Sequence, residues 1–340
     1  MFASSLFMLE GERKRGIQFM YDGKKEPTRR DALFAGAGVS GLRVVGPALL
    51  GGLAATVARS SPFTDTTPLP VDLMNAVFGV EGMVEPGGVV LYDLSRSDLH
   101  PVIMGIPVDP DWGFDTEITF QPLGSRAVVK WEMCLTDREV NPVLEALFRE
   151  RLDPQQTTLN ALHNHFIQLR PKIKFLHGMA TGDPVGLAQA LRKALQHSNQ
   201  PFVSSPPGDT DLPNDEITNI IGGDSMISGK VLTVTVPRKE TIHEFGIHLA
   251  PTMQFESVFN FQKIGRYESI VNAEFVLTPN EFDAVARFLR ERAFIIMAAH
   301  NHELFVEPRF YYIHTGNVCS PISQAKIIRE ALEKTNSKVK

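Results

Sequence analysis

The sequence predicts an α+β protein built from two tandem homologous repeats, and three observations support this prediction. One histidine block recurs with unchanged spacing, as His163-Asn164-His165, Pro171, His177 and as His300-Asn301-His302, Pro308, His314. The 23 prolines and 26 glycines indicate many turns and a strand-rich fold. Apolar residues at helical spacing recur at matching places in both halves of the chain.

Composition excludes several classes of protein. The 340-residue chain is 43 % hydrophobic and 21 % charged, a balance that allows it to bury sizeable cores. Its net charge of −5 argues against a nucleic-acid partner, since phosphate binding needs clustered Lys and Arg. Outside the leader, no stretch is apolar for the 18 or more residues that a membrane helix needs, so we expect no membrane span in the mature chain.

The two cysteines, Cys134 and Cys319, fall at unrelated points of the two repeats. This placement argues against a shared metal-binding role for them. The sequence does not decide whether they form a disulfide.

Residues 1–60 are predicted to be an export signal or a disordered leader. Arg29-Arg30 precedes a weakly apolar, Gly/Ala-rich run that reaches about Ala58, which resembles a twin-arginine export signal. Arg43 interrupts this run, so an uncleaved anchor and a disordered tail stay open as alternatives. Export would place the mature protein in the periplasm or outside the cell.

Comparison of the chain with itself places the first repeat at residues 68–200 and the second at 212–335, with a Ser/Pro/Gly-rich linker at 201–211. Each repeat is predicted to have a strand-rich first half, followed by a helix, a β-hairpin and a final helix. The final helices start at the cap-and-proline pairs Asp183-Pro184 and Ser320-Pro321. We expect the two units to pack about a pseudo-twofold axis.

The recurring histidines are the residues best suited to chemistry. Residues two apart in a strand share a face, so His163 and His165 are predicted to point the same way. A hairpin through Pro171 returns His177 to them, provided that the strand register is even. Three imidazoles on rigid strands leave an open position on a metal ion, as in catalytic zinc sites.

We therefore predict a site for a divalent metal such as zinc, iron or manganese in each repeat. The expected ligands are His163, His165 and His177 in the first repeat and His300, His302 and His314 in the second. Apolar neighbours on the same predicted face, Phe175 and Tyr312 among them, would keep the imidazoles neutral. Glu303 and Asn164 are candidate helpers, although Glu303 matches Phe166 and so serves only one of the two sites.

The paired histidine blocks, the segment Leu135–Leu144 and the closing segment Gly182–Leu191 resemble the LppY/LpqO family of exported bacterial proteins. The resemblance covers roughly residues 68–335. It implies export and a duplicated domain of unknown function, and it implies no established activity. The second repeat departs from the first at Glu281-Phe282-Asp283 and Asn317-Val318-Cys319, which leaves open whether one site has diverged.

Three hypotheses about function stay open at this point. An exported metal-dependent hydrolase or oxygenase would use water on an open position of the ion as nucleophile. A non-catalytic exported protein would bind a metal ion or a small molecule through the same histidines. In the third hypothesis the histidines only hold the core. The sequence does not decide between catalysis and binding, and it does not give the oligomeric state.

Overall fold

The computed structural model of the protein describes residues 67–150 and 157–340. The predicted leader at residues 1–60, with its twin arginines, lies outside the described residues. Within the described part of the chain, no helix is long and apolar enough to cross a membrane. The thiols of Cys134 and Cys319 are both free.

The described part of the first repeat contains three α-helices, two short 3-10 helices and nine strands. The α-helices are α1 (Val71–Phe78), α2 (Val140–Arg149) and α3 (Pro184–Leu195). The strands are β1 (Met83–Glu85), β2 (Val89–Ser95), β3 (Val102–Ile103), β4 (Ile106–Pro107), β5 (Asp115–Leu123), β6 (Arg126–Thr136), β7 (Thr157–His163), β8 (Leu169–Arg170) and β9 (Ile173–Gly182). The Asp183 side chain caps α3 by accepting a hydrogen bond from Gly186 N, as the Asp-Pro pair predicts.

The second repeat contains the same α-helices and strands in the same order. The helices are α4 (Asn214–Ile221), α5 (Pro279–Glu291) and α6 (Pro321–Leu332). The strands are β10 (Asp224–Ser228), β11 (Val231–Pro237), β12 (Ile242–Glu244), β13 (Ile247–Leu249), β14 (Glu256–Lys263), β15 (Ser269–Leu277), β16 (Ile295–His300), β17 (Val306–Glu307) and β18 (Tyr311–Cys319). Between α3 and α4 the chain forms only one isolated β-bridge, Pro207 with Ser228.

Each repeat forms one large and one small antiparallel sheet. The large sheets have the strand orders β1-β2-β5-β6-β9-β7 and β10-β11-β14-β15-β18-β16. The small sheets have the orders β4-β3-β8 and β13-β12-β17. The strand orders are identical once the repeats are matched, so the predicted fold class, an α+β duplication, is confirmed.

The two large sheets face each other, and the helices lie on their outer sides. Alternate residues of β2, such as Val90 and Tyr92, join a core that contains only first-repeat residues and includes the helices α1 and α3. A matching core forms between the second sheet and its helices. Two further apolar clusters mix residues of both repeats, for example Val128 with Tyr312. The layers therefore follow the order helix, sheet, sheet, helix.

Two matching glutamines cross the boundary between the repeats. Gln121 Nε2 donates to the His248 carbonyl at 2.8 Å, and Ala250 N donates to Gln121 Oε1 at 2.8 Å. Gln262 makes the same kind of link in the other direction, accepting from Asp109 N at 2.7 Å. These bonds fix how the two inner sheet faces are aligned.

Candidate metal centre

The strands deliver the histidines to the inner faces of the sheets. His163 and His300 are the last residues of β7 and β16, and His177 and His314 lie within β9 and β18. His165 and His302 come after the strand ends, because the chain leaves the large sheet there to reach the small one. The expectation that His163 and His165 share a strand is therefore wrong, and an irregular segment after the strand places the second histidine.

The register of the paired strands is even in both repeats. Ala161 pairs with His177 and His163 pairs with Phe175, so the two histidines are two residues apart on one face. The second repeat has the same arrangement, with Ala298 opposite His314 and His300 opposite Tyr312. An even register is the condition for His177 to share a face with His163, and the sequence alone does not determine it.

The six imidazoles form one cluster across the boundary between the repeats. His163 stacks on His300 with ring centroids 3.6 Å apart. His165 stacks on His314 at 3.9 Å, and His177 stacks on His302 at 3.9 Å. Each residue of the first repeat has a counterpart in the second. If counterparts are exchanged, the His165–His314 pair becomes the His302–His177 pair, and the His163–His300 pair stays the same. This is the relation expected of a pseudo-twofold axis that passes through the His163–His300 stack.

Two overlapping sets of four imidazoles could hold a metal ion. One set is His163, His165, His177 and His302, and the other is His165, His300, His302 and His314. Within each set the ligand nitrogens lie within 4.8 Å of one another. Each set contains three histidines of one repeat and one of the other, which is His302 in the first set and His165 in the second. The two predicted triads are thus present, but they are joined in one centre.

The environment of the cluster favours neutral imidazole, the form that binds metals. Burial lowers the pKa of His163 to about 4, and burial together with the neighbouring His163 lowers that of His300 to about 2. The pKa values of His165, His177, His302 and His314 also lie well below the usual range, mainly because these rings are buried. The nitrogens of His177 and His302 make no hydrogen bond to any described residue, so their lone pairs are available.

Aromatic rings orient the two shared histidines. His165 stacks on Phe175 with centroids 3.6 Å apart and ring planes 2° apart. His302 stacks on Tyr312 at 3.5 Å and 10°. Phe175 and Tyr312 occupy matching positions, so the same packing holds the shared histidine of each repeat.

Two glutamates beside the histidines were not found from the sequence. Glu132 lies opposite His177 across β6 and β9, and its carboxylate is 3.6 Å from His177 Nε2 and 3.7 Å from His165 Nδ1. Glu274 lies opposite His314 in the same way, at 3.5 Å from Nδ1. Both glutamates stand three residues before a matching Leu-Thr pair, a signal that comparison of the repeats contains. Carboxylates that hydrogen-bond a metal-bound imidazole orient it, and a small shortening of these distances would form such bonds.

The helpers suggested by the sequence have other partners. Glu303 is buried, and its carboxylate accepts from Lys130 Nζ at 2.5 Å and from Tyr312 OH at 3.2 Å. Asn164 is exposed and accepts from Lys174 Nζ at 2.5 Å. Glu303 therefore forms an ion pair between the repeats, since Lys130 belongs to the first repeat and Glu303 to the second.

A cavity of about 160 Å³ adjoins the histidines, and we call it the acidic chamber. It lies between the inner sheet faces and reaches His165 and His302. Seven carboxyl groups line it, which are those of Asp93, Asp111, Asp115, Glu117, Glu132, Glu256 and Glu274. No Lys or Arg is among the described side chains that line it. A ligand that entered the chamber would meet these carboxyl groups and would arrive at the shared histidines.

Comparison with known proteins identifies a family and no activity. A family model described as Domain of Unknown Function (DUF1259) matches residues 73–197 and, a second time, residues 215–334. No curated protein and no solved structure matches the chain. The two matched segments together cover more than half of the chain, and each contains one of the recurring histidine blocks. The protein therefore belongs to the family defined by this domain of unknown function and carries the domain twice.

Proposed function

We propose that the protein binds a divalent metal ion at the boundary between its two repeats. The observation that carries the proposal is the pair of four-imidazole sets whose nitrogens lie within 4.8 Å of one another. Imidazole-only sets suit zinc and iron better than manganese, which prefers carboxylate oxygens. Buried, neutral rings without hydrogen-bond partners would gain their missing partners from the ion.

The shared histidines limit how the sets are filled. His165 and His302 belong to both sets, and a neutral imidazole gives one lone pair to one ion. The cluster therefore holds either one ion with four imidazoles or two ions with three each. In the second case every ion keeps an open position.

Elemental analysis of the purified protein tests metal binding. We expect zinc or iron at one or two ions per chain. His165→Ala and His302→Ala should each lower the metal content, because each variant removes a ligand from both sets. His197→Ala is the matched control, since His197 is exposed and lies outside the cluster.

The thermal stability of the same variants separates the alternatives. Loss of metal with a folded apoprotein would identify a binding site. If the wild-type protein carries no metal and both variants unfold, the cluster is structural and the proposal is wrong.

The acidic chamber favours a second candidate function, a metal-dependent hydrolase. A bound divalent ion would lower the pKa of a coordinated water. His165 and His302 would present that ion to the chamber, and Glu132 and Glu274 would hold the rings in place. Turnover of esters, phosphates or peptides by the metal-loaded protein, absent in His165→Ala, would support the enzyme; no turnover of any of them would leave binding alone.

We also propose that the protein is exported, as its resemblance to the LppY/LpqO family implies. The support is Arg29-Arg30 ahead of a weakly apolar run. Replacing both arginines with lysine should keep the chain in the cytoplasm if the twin-arginine route is used, and cell fractionation measures this. Unchanged fractionation of the variant would argue against that route.

A further inference from the structure

The first repeat places carboxyl groups side by side on the wall of the acidic chamber. Asp93 lies directly opposite Glu117 across β2 and β5, and Glu117 lies directly opposite Glu132 across β5 and β6. Like charges at directly opposed positions destabilise a sheet. Burial and neighbouring carboxylates raise the pKa of Asp93 and that of Glu117 to about 7. The fold therefore carries an electrostatic cost along this row.

Two further acceptors in the chamber have no donor among the described residues. Thr119 is 1 % exposed, and its hydroxyl makes no hydrogen bond to a described residue. Asn272 is 4 % exposed, and its Oδ1 likewise accepts no hydrogen bond from the described part of the chain. Both side chains line the chamber. Carboxylates, a hydroxyl and an amide oxygen together form a wall of acceptors that a cation with N–H donors would satisfy.

The spacing of the carboxyl groups argues against a directly coordinated metal ion. Among the described residues, the sets of three or more His, Cys, Asp and Glu whose ligand atoms all lie within 4.8 Å of one another contain histidines alone. The carboxyl groups of the chamber are thus spread along its walls. An ion such as magnesium or calcium needs several oxygens at once, at about 2.0–2.6 Å. A longer ligand with more than one charged end fits separated carboxylates better.

The walls and the mouth of the chamber are partly apolar. Leu91 and Val258 line it between the carboxyl groups. Met83 and Met226 line it from the edge strands β1 and β10, and they are 37 % and 39 % exposed. The edge strands therefore mark where the chamber opens. Methionine side chains adapt to flexible apolar ligands, and an aliphatic chain would pack there better than a hydrated ion.

We propose that the acidic chamber binds a small aliphatic diamine or polyamine, with its ammonium groups on the Asp93–Glu117 row and its methylene chain along Leu91 and Val258. The ammonium groups would offset the repulsion along the row and donate to the free acceptors. The proposal goes beyond metal binding and does not require it, because Asp93 and Glu117 belong to neither histidine set.

Titration calorimetry with 1,4-diaminobutane tests the proposal, both on the protein as purified and after treatment with a chelator. We expect saturable binding in both samples. The neutral isostere 1,4-butanediol and magnesium chloride at matched ionic strength should not bind. Binding of magnesium with no binding of the diamine would overturn the proposal, as would equal heats for the diamine and sodium chloride.

Variants of the row supply the second arm of the experiment. Glu117→Gln and Asp93→Asn should each weaken diamine binding about tenfold, because one charge-assisted contact is lost. Each should also raise the melting temperature of the ligand-free protein, which a purely structural carboxyl group would not do. Asp72→Asn is the matched control, since Asp72 is exposed on α1.

Unchanged affinity in both row variants would place the diamine elsewhere and overturn the proposal. Elemental analysis of the same samples reports the histidine site separately. Failure of diamine binding and failure of metal binding are thus distinguished in one set of preparations.

Discussion

The two repeats match closely where each sheet meets its own helices and differ where the sheets face each other. In the first repeat, Arg96 donates a hydrogen bond to Glu139 at 3.1 Å and forms an ion pair with Asp98. In the second, Arg238 donates to Glu281 at 3.0 Å and forms an ion pair with Glu240. Burial by itself would lower the pKa of each guanidinium, and the two carboxylates beside it raise the pKa above its usual value.

Away from the histidines, their neighbouring glutamates and the crossing glutamines, the inner faces lack this symmetry. Asp93 and Glu117 of the first repeat correspond by strand register to Thr235 and Val258 of the second. Lys130 and Glu303 form a buried ion pair whose positions in the other half are held by Asn272 and Phe166. The scaffold is therefore duplicated, whereas the carboxyl groups of the chamber are not, since five of the seven come from the first repeat.

The buried ion pair offers the largest expected effect. Lys130→Asn copies the residue of the second repeat and leaves Glu303 buried without its partner, which should cost about 3–5 kcal/mol of unfolding free energy. The double variant with Glu303→Phe copies the other side completely and should recover most of the loss. Urea denaturation measures both. A double variant as unstable as the single one would show that the two sides are not interchangeable.

The next largest effect on stability should come from a pair of facing residues that is large–small in the first repeat and small–large in the second. Trp131 lies opposite Gly178, and Ala273 lies opposite Thr315. A Cβ at Gly178 would collide with the Trp131 ring. Gly178→Thr should therefore cost about 1–3 kcal/mol through overpacking.

In a Trp131→Ala background the same substitution should cost less, because the ring is gone and the second repeat uses this small–large arrangement; the Thr158 carbonyl, 2.8 Å from the added Cβ, keeps part of the cost. A double-mutant cycle measured by thermal unfolding gives the coupling. If Gly178→Thr lowers the stability equally with Trp131 and with Ala at position 131, the two residues are not coupled and the prediction is wrong.

The crossing glutamines allow a direct comparison of two matching bonds. Gln121 is buried, so Gln121→Leu removes its hydrogen bonds to the His248 carbonyl and from the Ala250 amide and should cost about 2 kcal/mol. Gln262 is less buried, and water can replace its contacts. Gln262→Leu should therefore cost less than half as much by the same denaturation assay, and the opposite order would be unexpected.

The smallest expected effect comes from the charged row. Burial and Glu256 raise the pKa of Glu117 to about 7 from 4.5. A raised pKa in the folded state means that stability is fully present below the ordinary pKa and is lost as pH rises through about 7. Glu117→Gln should therefore stabilise the ligand-free protein by about 1 kcal/mol or less at neutral pH, with a gain that shrinks towards pH 5.

Val258→Glu makes the matching position acidic, opposite Glu274, and should have the reverse trend. Melting temperatures of the two variants across this pH range test the comparison. A gain for Glu117→Gln that does not change with pH would contradict it.

Much of the site follows from local rules that a sequence contains. The period of two along β7 and β9 brings His163 and His177 to one face, and the cap-and-proline pairs mark where α3 and α6 begin. The joining of the two histidine triads does not follow from such rules. It depends on the face-to-face packing of two sheets, a contact between residues more than a hundred positions apart.

The acidic chamber could not be predicted from the sequence, for a different reason. Comparison of the repeats finds residues that match, and the carboxyl groups of Asp93 and Glu117 match a threonine and a valine. Glu132 and Glu274 do match, yet only the strand register shows that they lie beside His177 and His314. The sequence offers Glu303 as a helper at the metal, whereas its partner Lys130 lies in the other repeat, a contact that no local pattern shows.

The irregular segment between α3 and α4 joins the two repeats in one chain, and this has a consequence for how the protein can evolve. Two separate copies of one polypeptide would carry every substitution on both sides of the shared axis, so a glutamate at one wall would always bring a second glutamate at the other. Joining the copies in a single chain removes that constraint. Each wall can then mutate independently, while the stacked imidazoles on the axis still draw on both.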